Sequence, residues 1–87
     1  MKIKKYVKKP IPVEMVQVTH GDIHRVAEWC KGLVQPEYPC VMFNTGHGTA
    51  HAYMADYVAK DSEGEYYPVK KEVLEKTYLE VDVPEEE

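Results

Sequence analysis

The sequence predicts an α+β fold: a small, twisted, mainly antiparallel sheet with one principal helix packed on it. Three observations carry that expectation. Short β-branched or alternating runs recur between clusters of turn-forming residues, one stretch alone spaces its apolar residues as a helix does, and 87 residues leave room for one compact core. The chain therefore reads as one domain over 1–87, with a basic arm at 1–9 and an acidic tail at 84–87.

IPVEMVQV at 11–18 alternates Ile11, Val13 and Met15 against Val16 and Val18, which describes a strand partly covered on both faces. Pro10 and Pro12 lack an N–H and put its first residues at or outside a sheet edge. In GDIHRVAEWCKG at 21–32 the period changes, and Ile23, Val26, Ala27 and Cys30 share one helical stripe with Arg25 and Glu28 outward. Asp22 is placed to cap this helix and Gly32 to end it, with Lys31 in its last turn where the helix dipole favours a cation.

QPEYP at 35–39 is a loop by its prolines, and CVMF at 40–43 is short enough to be a buried strand. NTGHG at 44–48 carries the turn chemistry of a hairpin whose returning strand is TAHAYM at 49–54. A second hairpin joins DYVAK to EYYPV through the polar tip DSEG at 61–64. KKEVLEK at 70–76 permits one or two helical turns with Val73 and Leu74 inward. TYLEVDV at 77–83 then alternates as a half-buried strand before Pro84 and the glutamates end it.

The net charge of −4 conceals an asymmetry, with Lys2, Lys4, Lys5, Lys8 and Lys9 at one end and Asp82, Glu85, Glu86 and Glu87 at the other. Five lysines beside a single arginine, Arg25, make a thin footprint for phosphates, so nucleic acid is not an expected partner. No apolar run approaches the roughly 20 residues needed to cross a bilayer, and no signal-peptide core follows the first lysines. A cytoplasmic protein is expected, with no membrane association and with Cys30 and Cys40 as free thiols.

Four short patterns, in one order, carry a resemblance. YVKKPIPVEMVQVT, VAEWCKG, ADYVAK and GEYYPVKKEVLEKTY together resemble a family of small proteins encoded by phages and prophages, and they span Tyr6 to about Tyr78. Members typically open on a lysine-rich KKP segment leading into a VEA-Q-W strand. They close on GDW or GDY, GE-F-or-Y-YP and FE-TY runs. The resemblance implies viral origin, expression inside a bacterium and a sheet-plus-helix fold; it implies no activity and supplies no site residues. The chain departs from the pattern at Val18, where a tryptophan or similar large residue is usual, at Ala55, where a glycine usually precedes the Asp-Tyr pair, and around His47.

His47 and His51 have the i, i+4 spacing that grips a metal on a helix, and His20 with His24 repeats it. On a strand the same spacing separates two residues by roughly 13 Å, and neither C-x-x-C nor H-E-x-x-H is present, so no metal site is expected. TGHG offers backbone N–H groups to an anion but lacks the lysine of a P-loop. Gly46, His47, Gly48, His51 and Tyr53 are accordingly the candidate ligand-binding residues. Seven tyrosines supply amphipathic surface, and Tyr57, Tyr66 and Tyr67 are the candidate interface, with Tyr66 and Tyr67 facing opposite ways if extended.

Ser62 stands alone in a polar loop and Cys30 on a buried stripe, so no catalytic residue and no cofactor is assigned. The expectation is a phage-encoded accessory protein that acts by binding, inhibiting or redirecting a host protein in the bacterial cytoplasm. Capture of a small anionic, nucleotide-like ligand, in one copy or across a homodimer, is the second reading, and a metal-dependent enzyme the third.

Overall fold

Each run of β-branched residues finds one partner close in sequence and one far from it, and the result is two sheets that share a core. The computed structural model describes residues 1–6 and 11–80. Among the described residues six strands and two helices follow in the order β1 (Glu14–Gln17), α1 (Ile23–Trp29), β2 (Leu33–Gln35), β3 (Cys40–Thr45), β4 (Gly48–Tyr53), β5 (Tyr57–Lys60), β6 (Tyr66–Val69) and α2 (Lys71–Thr77). One antiparallel sheet has the order β1-β5-β6 and the other β2-β3-β4. This is a small α+β fold with α1 as its principal helix.

The helical stripe read from sequence is the one that packs: Ile23, Val26, Ala27 and Cys30 are all buried. They meet Val41, Phe43 and Ala52 from β3 and β4, Val58 from the other sheet and Val18 just past β1 in one apolar cluster. Burying such side chains contributes roughly 1.5–3 kcal/mol each relative to exposure, so this cluster outweighs any surface contact in the chain.

The helix ends differently from the sequence expectation. The sequence places Lys31 in the last turn and Gly32 as the stop, yet Lys31 lies beyond the last turn and itself holds the positive φ, at 59°. Lys31 N–H donates to the Glu28 carbonyl at 3.3 Å and Gly32 N–H to the Ala27 carbonyl at 2.7 Å, the paired bonds of a Schellman motif. Gly32 serves a different need, since a Cβ there would overlap the Met42 carbonyl oxygen and press on Phe43. It is glycine so that β3 can pass close beside the end of α1. At the other end Asp22 makes no side-chain cap; its N–H instead donates to the Thr19 hydroxyl at 3.2 Å.

Further corrections fall at the two ends. The first strand is shorter than 11–18, and Ile11 is exposed. Val73, expected inward, is 47% exposed, and α2 buries no residue. The half-buried strand expected over 77–83 does not form across its described part, because Thr77 ends α2 and Tyr78, Leu79 and Glu80 are exposed and irregular. Lys8, Lys9 and Pro10, the rest of that strand from residue 81, and the acidic tail lie outside the described residues. Leu33 and Val34, assigned no element from sequence, and Gln35, read as the start of the 35–39 loop, form β2 against β3.

Two turns connect the sheets to the hairpins within them. Gly48 and Gly64 carry positive φ at the hairpin tips, and Asp61 Oδ1 accepts N–H bonds from Glu63 and Glu65, both at 2.9 Å, to shape the DSEG loop. The chain passes from β4 to β5, and so from one sheet to the other, through Tyr53–Asp56. Asp56 N–H closes that turn on the Tyr53 carbonyl at 3.0 Å while Ala55 sits at φ 75°. A positive φ at the third residue is the mark of a type II turn, which favours glycine there. Ala55 therefore occupies a position with a real backbone demand.

Candidate functional site

Register decides which side chains meet the core and which look outward. In the β2-β3-β4 sheet Val34, Val41, Phe43, Ala50 and Ala52 point inward. The alternate residues, Leu33 opposite Met42, His51 opposite Met42 on the other side, and Tyr53 opposite Cys40, fall on the outer face. Leu33 is 73% exposed and Tyr38, from the 36–39 turn, 67% exposed. That outer face thus carries Leu33, Tyr38 and His51 exposed, Met42 and Tyr53 half-buried, and Cys40 buried.

Tyr53 is its centre. The Tyr38 ring lies 5.2 Å from it, tilted by 54°; the His51 ring lies 6.1 Å away and nearly parallel at 12°; Lys70 Nζ stands 5.3 Å from the ring centroid. These are the separations of aromatic pairs and of a cation over a ring, each contributing roughly 0.5–1.5 kcal/mol beyond area burial. Beneath them Cys40 is fully covered, its thiol donating to Gln35 Oε1 at 3.6 Å. Burial pushes the Cys40 thiol above its ordinary pKa, and the same cause acts on Cys30 in the core. Both cysteines are free.

Asp56 anchors this arrangement from behind. It is 8% exposed, and its Oδ2 accepts from the Tyr53 backbone N–H at 3.3 Å and from Lys70 Nζ at 3.3 Å. Holding Tyr53 and Lys70 on one carboxylate fixes the cation against the ring. No buried side-chain polar atom among the described residues lacks a partner.

The ligand-binding residues proposed from sequence divide into two groups. His51 and Tyr53 belong to the outer face. Gly46, His47 and Gly48 form the hairpin tip, where His47 N–H donates to the Thr45 hydroxyl at 3.0 Å and that hydroxyl donates to the Gly48 carbonyl at 2.8 Å. The tip thereby uses one of its own N–H groups internally. Both histidines are exposed. Among the described residues no cluster of three or more His, Cys, Asp or Glu is arranged to hold a metal ion.

The proposed interface tyrosines are engaged by the fold itself. Tyr66 meets Trp29 edge-on at 5.4 Å with Lys60 Nζ 5.8 Å from its ring, and Tyr67 shares a hydrogen bond with Tyr78 that, after burial, helps raise its pKa. All of Tyr57, Tyr66 and Tyr67 are half-buried. Tyr38, Leu33 and Lys70 carried no signal in the sequence that set them apart. Their role emerges only once β2, the 36–39 turn and β6 are brought together.

A shallow groove of ≈ 460 Å³ runs between β1 and α1, bounded by Val16, Val26 and Trp29 with Asp22 and Arg25 at its rim. No described helix is long and apolar enough to cross a membrane. No family model, no curated protein and no solved structure matches this chain.

Proposed function

We propose that this protein is a phage-encoded accessory protein that acts by binding a host protein in the bacterial cytoplasm, through the outer face of the β2-β3-β4 sheet. The observation that supports this reading is the Tyr38–Tyr53–His51 cluster, in which Tyr38 and His51 are exposed beside Leu33 and the half-buried Tyr53 is braced by Lys70 and Asp56. Rigid aromatic side chains that lose little entropy on contact are what compact proteins use as interface anchors. The resemblance of the KKP, AEWC and GEYYP segments to phage-encoded proteins supplies the setting.

The test is affinity capture from bacterial lysate with wild type, Tyr38→Ala/Tyr53→Ala and the distant control Glu63→Ala, followed by reconstitution with the purified captured protein. The expected result is one stoichiometric partner, bound directly by wild type and control and weakened at least tenfold, about 1.4 kcal/mol, by the tyrosine double variant. Equal binding by all three chains would place the interface elsewhere. Native mass spectrometry of the purified protein addresses the second reading, since a retained nucleotide-like ligand displaced by the same tyrosine changes would favour small-molecule capture over protein binding.

A further inference from the structure

The β1-β5-β6 sheet has two edges, and they are built differently. At β6 the strand contains Pro68, which has no N–H to offer a neighbour. At β1 the strand reads Glu-Met-Val-Gln, without proline, glycine or lysine, and among the described residues nothing pairs with its outer side. Val18 N–H donates to the Asp56 carbonyl at 2.8 Å and Val18 C=O accepts from Ala55 N–H at 2.9 Å, so its backbone groups face β5. Antiparallel alternation turns those of Val16 the same way and leaves the N–H and C=O of Met15 and Gln17 facing outward.

Two outward residues separated by one make a self-complementary edge. If a second copy is brought up antiparallel about a two-fold axis through Val16, perpendicular to the sheet, Met15 of one copy stands opposite Gln17 of the other and exchanges both backbone hydrogen bonds with it. The symmetry mate repeats this, giving four bonds, and Val16 faces Val16 on the side of the sheet that carries α1. That side is where the Val16–Val26–Trp29 groove opens.

The rim of the groove is charged in a pattern that matches its own two-fold image. Arg25 and Glu28 stand one helical turn apart on the exposed side of α1, with Trp29 beside both. Arg25 is 87% exposed and holds Asp22 only loosely, at 3.7 Å. Brought together antiparallel, two copies of α1 would set Arg25 of each across from Glu28 of the other, so that the charges framing the groove attract. We infer that the protein forms a two-fold homodimer in which β1 pairs with β1 to make a six-stranded sheet, with the Val16–Trp29 grooves closed against each other and Arg25 paired with Glu28 across the axis. This is a surface separate from the outer face of the β2-β3-β4 sheet, and it stands whether or not that face binds a partner.

Sedimentation equilibrium of the full chain from micromolar to millimolar concentration tests the proposal, with wild type, Arg25→Glu, Glu28→Arg and the double exchange Arg25→Glu/Glu28→Arg. Wild type is expected at twice the chain mass, each single reversal to weaken dimerisation by roughly tenfold or more through two symmetric like-charge contacts, and the double exchange to restore it. Backbone amides of Met15 and Gln17 are expected to exchange with solvent more slowly as concentration rises. A chain that stays monomeric at millimolar concentration overturns the proposal. So does a dimer indifferent to both reversals, or one in which the Met15 and Gln17 amides exchange freely. Circular dichroism confirms that each variant is folded; should Arg25→Glu not fold because it faces Asp22, Glu28→Arg and the amide exchange carry the test.

Discussion

The two sheets have the same strand count and the same antiparallel pairing, and they differ in what covers them. In β1-β5-β6 the inner residue Val58 is buried, and so are Ala59 and Val69 on the opposite face, where Tyr57 and Tyr67 are half-buried. In β2-β3-β4 the inner face is closed by α1 and the other sheet, and the outer face is closed only in part, over Cys40. The outer face presents Leu33, Tyr38 and His51. The first sheet spends its aromatic residues on its own packing, while the second carries Tyr38 exposed and Tyr53 half-buried beside an exposed His51. What sets the second sheet's outer face apart is the exposure of Leu33 and Tyr38.

The strongest way to break this arrangement is at the place where α1 is seated on the half-covered sheet. Gly32→Ala puts a methyl group into the Met42 carbonyl, which is backbone and cannot rotate away. A loss of about 3 kcal/mol is expected, lowering Tm by more than roughly 10 °C in a domain of this size. Thermal unfolding followed by circular dichroism reads it directly; an unchanged Tm would mean that α1 and β3 are not so closely apposed. By contrast Lys31→Gly, one residue earlier, relieves a positive φ and should stabilise.

A smaller break is expected at the passage between the sheets. Asp56→Ala removes the acceptor shared by the Tyr53 N–H and Lys70 Nζ, and a buried donor left without its partner costs about 1–3 kcal/mol. Because Lys70 is largely exposed, most of that loss belongs to the backbone bond. The same variant should loosen Tyr53 and weaken binding at the outer face, whereas Glu63→Ala should change neither. Chemical denaturation, with partner affinity measured on the same samples, checks both halves.

In the opposite direction, Ala55→Gly should sharpen the fold. Alanine at φ 75° carries roughly 1–2 kcal/mol of strain, partly offset by glycine's greater freedom in the unfolded chain, so a net gain of about 0.5–1 kcal/mol is expected. A decrease would show that the alanine methyl makes contacts that outweigh its strain.

How much of this was legible beforehand depends on the range of the interactions involved. The stripe Ile23, Val26, Ala27 and Cys30 was readable because a helical face is set by local spacing, and both hairpins because Gly48, Gly64 and Asp61 act within a few residues. The division into two sheets was not, since β1 pairs with β5 forty or more positions away and no local pattern encodes that choice. The alternation of Tyr78, Leu79 and Glu80 failed for a related reason: a period of two announces a strand only when a partner strand is there to accept it, and none pairs with the described part of that segment. At the candidate site, His51 and Tyr53 were visible as residues of one strand, while Tyr38 and Lys70 reach it only through the fold.

The cysteines bring pH into the comparison. Burial raises both thiols, Cys30 inside the shared core and Cys40 under the aromatic face, so the folded chain holds these protons to higher pH than the unfolded chain does. Their contribution to stability is therefore complete below the unfolded thiol pKa of about 8.5 and is lost as pH rises through the raised folded values. Denaturation midpoints should be flat with respect to these groups below about pH 8 and decline above pH 9, and the decline should shrink when Cys30 or Cys40 is replaced by Ala. Thiol titration of the denatured, unreduced protein should count two.

The smallest effect on the fold is expected where the sequence first drew attention. His47 and His51 are exposed, His47 at a tip held by Thr45 and Gly48, and His51 on the open face beside Tyr53. Neither side chain supports the core, so His47→Ala/His51→Ala should change stability by no more than about 0.5 kcal/mol. The two histidines should part company in binding. His51→Ala removes a ring lying parallel to Tyr53 and should weaken the outer face several-fold, while His47→Ala, away from that cluster, should leave affinity as it was. Equal losses from both would join the hairpin tip to the binding face and point to an anionic group bound across them; unfolding of the double variant would mean that the two imidazoles serve the fold after all.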